Sequence, residues 1–150
     1  MRHEFYDYSQ DEKGRYRFTS RGKRAIVKIV EFALTSRTHL RNLWFGDMLS
    51  NDTIDDMVIS NNGDIRKVLA TVIKIIREFT LEQPHITVVF KGSTVGRMDL
   101  YHRILKTHYA ELRSEFIISA FVLEENAYTE VLFDPDSNAE YWAFFIKKNI

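Results

Sequence analysis

The most chemically suggestive stretch of this chain is Phe90-Lys91-Gly92-Ser93-Thr94-Val95-Gly96-Arg97, which gathers two cations, two glycines and two hydroxyls in eight positions. The β-branched run Ile86-Thr87-Val88-Val89-Phe90 reads as a strand, and a helix opens after it. The first turn of a helix has unpaired N–H groups and the positive end of a dipole, so such a junction accepts anions. Gly92 and Gly96 permit close backbone approach. Ser93 and Thr94 offer hydroxyls, and Lys91 and Arg97 offer charge for phosphate oxygens. Acids usually open a helix because they offset the dipole, yet here the first turn carries Arg97. The other helix opens with Arg66 and Lys67 directly after Asp64 and Ile65. The same departure in both suggests a shared anion, with Arg66 and Arg103 completing the phosphate-binding set. The stretch matches neither the P-loop nor the dinucleotide-binding glycine pattern. The plainer account is an ordinary Ser-Thr cap with a turn relaxed by Gly92.

Three further residues are candidates for proton handling. Lys28, inside Ile26-Val27-Lys28-Ile29-Val30, shares a strand face with Ile26, Val30 and Phe32, where desolvation lowers an ammonium's pKa. The plain alternative is a stem that packs while its charge reaches the sheet edge. Asp47 lies with Asp55, Asp56 and Asp64 near element ends, but their spacing matches no metal motif, so no metal or cofactor is expected. His102 is expected to point outward beside Arg97 and Arg103, as a cationic ribonuclease-like cluster or simply as a solvated helix face.

The elements that position these residues follow from periodicity. Polar residues around Gly14 predict a hairpin turn between strands at 5–9 and 15–20. Strands are also predicted at 25–34, 43–45 and 57–59. Ile65, Val68, Leu69, Val72, Ile73, Ile76 and Phe79 recur at three- and four-residue steps and line one face of a helix. Asn62 or Asp64 can cap that helix, and Pro84 ends it. A second helix spans 95–113, with Met98, Tyr101, Ile104, Leu105, His108 and Leu112 inward. Strands at 116–123, 127–133 and 141–147 follow, separated by turns at Asn126 and Asp134-Pro135-Asp136. The order predicts one α+β domain over residues 1–150: a mostly antiparallel sheet with two main helices packed on one face.

Composition narrows the classes. In 150 residues, 45% are hydrophobic and 13% aromatic, enough for a core without staples. Lys plus Arg number 21 and Asp plus Glu 21, so the formal net charge is zero, which excludes a disordered polyelectrolyte or a histone-like binder. There is no cysteine, hence no disulfide, thiol nucleophile or cysteine zinc site. No apolar stretch reaches a membrane span and no signal-peptide core is visible, so a cytoplasmic, bacterial protein with no membrane partner is expected.

The charge is nevertheless uneven. Lys13, Arg15, Arg17, Arg21, Lys23 and Arg24 crowd the start, interleaved with Tyr16 and Phe18 in a pattern able to stack bases. Glu124, Glu125, Glu130, Asp134, Asp136 and Glu140 gather near the end. The two groups can neutralise each other within one sheet or between subunits.

Asn42-Leu43-Trp44-Phe45-Gly46-Asp47, Asp55-Asp56, Asn62-Gly63-Asp64 and Lys67-Val68-Leu69-Ala70-Thr71-Val72 resemble an uncharacterised bacterial domain family of unknown function. The resemblance continues through Lys91-Gly92-Ser93-Thr94, Arg97, Leu100-Tyr101 and Tyr141-Trp142-Ala143-Phe144. It covers most of the chain and implies no activity, substrate or cofactor. Two expectations stand. One is a protein recognising phosphate groups of a nucleotide or nucleic acid, in the manner of a toxin-like or defence-associated enzyme. The other is a non-enzymatic interaction module, either a homodimer or half of a two-gene (toxin–antitoxin) system.

Overall fold

The computed structural model of the chain describes residues 4–51, 53–55, 62–91 and 95–149. Asp56, the expected 57–59 strand and Gly92-Ser93-Thr94 lie outside the described residues. The elements in chain order are β1 (Ser9–Gln10), β2 (Tyr16–Arg21), β3 (Ala25–Leu34), β4 (Leu40–Met48), β5 (Ile54–Asp55), α1 (Ile65–Glu82) and β6 (Thr87–Phe90). They continue with α2 (Val95–Thr107), α3 (Tyr109–Leu112), β7 (Phe116–Glu124), β8 (Ala127–Leu132) and β9 (Tyr141–Lys148).

The strands form one sheet ordered β1-β2-β3-β4-β6-β9-β7-β8, with β5 on β4. β4 and β6 pair in parallel and the other pairs are antiparallel. The fold is thus α+β with a mostly antiparallel sheet, as the element order predicts. A parallel pair cannot be joined by a hairpin, so α1 serves as the crossover from β4 to β6.

Strand alternation divides the sheet into two faces. Cross-strand partners share a face, which groups Tyr16 and Phe18 with Val30, Leu43, Phe45, Val88, Phe90, Ile118, Phe144 and Ile146. These residues form one buried core with Val72 and Ile76 of α1 and with Tyr101, Ile104 and Leu105 of α2. Both main helices therefore cover the same face. The opposite face carries no helix among the described residues.

Several local departures have physical reasons. The strand expected at 5–9 shrinks to Ser9–Gln10 because the preceding residues turn onto α1: the Tyr6 backbone N–H donates to Thr71 Oγ1 at 2.8 Å, and Lys67 lies over the Tyr6 ring. The helix expected at 95–113 breaks at His108 into α2 and α3. Ile65, expected on the inner stripe of α1, is exposed. Gly22, in the β2–β3 turn, is dictated by packing, since a Cβ there would stand 1.7 Å from the Asn62 carbonyl oxygen. Asn62 in turn holds that turn to the start of α1. Its amide donates to Ser20 Oγ and the Arg24 carbonyl, and its Oδ1 accepts the Arg24 N–H.

Candidate functional site

Two places bring chemically active side chains together, one on each face of the sheet. On the helix-covered face, Lys28 pairs with Asp47 directly across β3 and β4, and Asp55 stands level with Asp47 on the far side. Lys28 is buried among Val30 and Phe45 on the face its alternation predicts. Arg97, 2% exposed, donates from a guanidinium nitrogen to the Phe45 carbonyl at 2.7 Å and stacks over the Phe45 ring. It thereby pins the first turn of α2 to the end of β4. The Lys28 ammonium is committed to Asp47 and the Arg97 guanidinium to Phe45. Asp64, at the start of α1, accepts hydrogen bonds from the Tyr6 and Ser20 hydroxyls, both at 2.5 Å. Burial and that bond to Asp64 raise the Tyr6 pKa.

The other sequence candidates are dispersed. Arg66 and Arg103 are exposed on α1 and α2. His102 does not join Arg97 and Arg103 in a cationic cluster; at 100° per residue, positions 97, 102 and 103 point in different directions. Instead its ring packs against Phe133, Tyr141 and Phe144, with Nε2 buried and without a partner. Burial, then nearby Lys106, lowers its pKa, with Asp99 opposing. His102 also sits over β9, three strands from β3, so it shares no site with Lys28 and Asp47. Among the described residues, no three His, Cys, Asp or Glu side chains cluster to hold a metal.

Lys91 belongs to the opposite, open face. Its ammonium lies 3.8 Å from the centre of the Trp142 ring. Extending the registers Leu43↔Phe90 and Phe90↔Phe144 by one residue sets Lys91 level with Trp44 on one side and Ala143 on the other. Trp142 meets Tyr128 at 4.9 Å and Phe121 at 6.3 Å between ring centres. A stripe thus crosses β4, β6, β9, β7 and β8: Trp44, Lys91, Trp142, Phe121, Tyr128. The two tryptophans remain 37% and 40% exposed. A β-bulge at Phe121/Val122 re-aims this part of the sheet.

Toward β2, Arg17, Arg21 and Val27 of this face and Tyr6 and Tyr8, which turn onto the helix side, line a hollow of about 540 Å³ at the border of the sheet. Tyr16 and Phe18, read from the sequence as base-stacking partners of these arginines, are 2% and 3% exposed in the core. Period-two alternation sends the cations outward and these aromatics inward. The open-face stripe escaped the sequence reading because its members come from five strands whose spatial order differs from their chain order. The one available signal was the pairing of Trp44 and Trp142 with Lys91 inside the resemblance motifs.

A model of the family described as "Family of unknown function (DUF6934)" matches residues 2–149. The chain belongs to that family. No curated protein and no solved structure matches it. Membership in DUF6934 supplies a lineage and no chemistry, so the site has to be read from its own residues.

Proposed function

We propose that the protein recognises the phosphate groups of a single-stranded nucleic acid laid across the open face of its sheet. The observation that carries this reading is Lys91 held over Trp142 and level with Trp44. Bases stack on exposed aromatic rings with little regard to sequence, and a cation among the rings neutralises the phosphates between them. Arg17 and Arg21 extend the track toward β2. Gly92, Ser93 and Thr94, which follow Lys91 directly in the chain, lie outside the described residues. Arg66, Arg97 and Arg103 stand on the helix side and serve no strand lying on the open face. Binding rather than catalysis is favoured because Lys28 and Asp47 are committed to each other under the helices and His102 stands three strands away.

Both tryptophans of the chain lie on the proposed track, so intrinsic fluorescence reports occupancy directly. Single-stranded RNA or DNA of about 8–12 nucleotides should quench it, whereas duplex and mononucleotides should not. Trp142→Ala should weaken binding by about 1–3 kcal/mol, and Lys91→Ala should reduce the salt slope by about 0.7. Unchanged fluorescence with every oligonucleotide at low salt overturns the reading.

A second reading, a protein-interaction module, is favoured by the separation of charge between the two edges of the sheet.

A further inference from the structure

We infer that the acidic β8 edge docks the basic β2–β3 turn of a second copy of this chain, head to tail. This deepens the interaction reading and does not depend on nucleic-acid binding. Four observations carry it. First, β2 and β8 are six strand spacings apart in the sheet order. At about 4.8 Å per spacing that is about 29 Å, several times the screening length of about 8 Å at physiological salt. The two charge groups therefore cannot neutralise each other within one molecule.

Second, apart from Arg15, which pairs with Asp11, charge on both sides remains available to a partner. Among the described residues, no acid of Glu124, Glu125, Glu130, Asp134, Asp136 and Glu140 makes an ion pair, and neither do the exposed Arg21, Lys23 and Arg24. Third, the acidic edge is shaped to receive something. A hollow of about 610 Å³ lies beside β8, with Glu124, Asp134 and Glu140 around Leu123, Tyr128 and Leu132, and no Lys or Arg lines it. Leu132 is 75% exposed. Fourth, among the described residues β8 ends the sheet and pairs with β7 alone, so its outer backbone edge carries no partner strand. Such edges are templates for association unless covered.

Charge also selects the geometry. Two β8 edges meeting symmetrically would face acids with acids, and two β2–β3 turns cations with cations. Only the heterologous pairing matches opposite signs, and such interfaces grow into rings or open chains.

The test is sedimentation velocity on nuclease-treated protein. Wild type should sediment above monomer mass at about 20 mM salt and return to monomer at about 500 mM. Lys23→Glu/Arg24→Glu and Glu124→Lys/Glu140→Lys change exposed side chains outside the Trp44–Lys91–Trp142 stripe. Each double variant alone should stay monomeric, and an equimolar mixture of the two should associate again. Circular dichroism checks that both remain folded. A monomeric wild type at low salt, or variants that associate as wild type does, overturns the inference. A two-gene partner would instead show as a defined heterologous complex on co-expression, with the isolated chain monomeric.

Discussion

One sheet presents two faces that have been filled in opposite ways. The helix-covered face takes Tyr16, Phe18, Val30, Phe45, Phe90 and Phe144 out of water and places the ion pair Lys28–Asp47 under cover. The open face holds comparable aromatic mass in Trp44, Phe121, Tyr128, Trp142 and Phe145, yet leaves much of it wet and sets Lys91 among the rings. The first arrangement maximises removal of apolar surface from water, and the second keeps apolar surface available.

The sharpest way to break this contrast is to truncate one aromatic on each face. Phe144→Ala should cost about 3–5 kcal/mol in urea unfolding, as expected for a fully enclosed ring. Trp44→Ala should cost about 1 kcal/mol or less, because its ring is already partly solvated. Equal losses would show that the open face is enclosed in an assembly under the assay conditions.

A smaller effect separates pairing from packing on the covered face. Lys28→Met leaves Asp47 without its cation and should destabilise by about 3 kcal/mol, while Lys28→Met/Asp47→Leu should recover most of the loss. Failure of the double variant to recover would show that Lys28 is needed as a charge, for a role beyond holding Asp47.

The smallest effect is a pH dependence from His102, whose ring packs under α2 on the covered face. Its folded pKa lies below the ordinary 6.5 through burial and then Lys106. The unfolded chain therefore binds this proton first as pH falls, and stability is lost from about 6.5 down toward the depressed value. Above 6.5 the contribution is constant. Thermal melting from pH 8 to 5 should show a shallower acid limb in His102→Phe than in wild type; identical limbs would remove His102 as the cause.

Much of this architecture was legible in the sequence because its signals are local. The apolar spacing from Val68 to Phe79 specifies α1, Pro84 ends it, and alternation assigns Lys28 to the inner face. The candidate site was less legible because it depends on sheet order. Lys91 and Arg97, six residues apart, lie on opposite faces, since a strand end and a helix start aim their side chains differently. Trp44 and Trp142, nearly a hundred positions apart, flank one lysine. His102 was expected in solvent because its own helix has polar neighbours at Arg103 and Lys106; Phe133 and Tyr141, from beyond the helix, cover it.

The place of β9 between β6 and β7 has a consequence for biosynthesis. Residues 141–148 are translated after every other strand, yet they occupy an interior position. Until they emerge, the nascent polypeptide holds two half-sheets whose facing borders have no mate. Productive closure is therefore deferred until residues 141–148 have been made, and those borders are where a chaperone would find this chain most vulnerable.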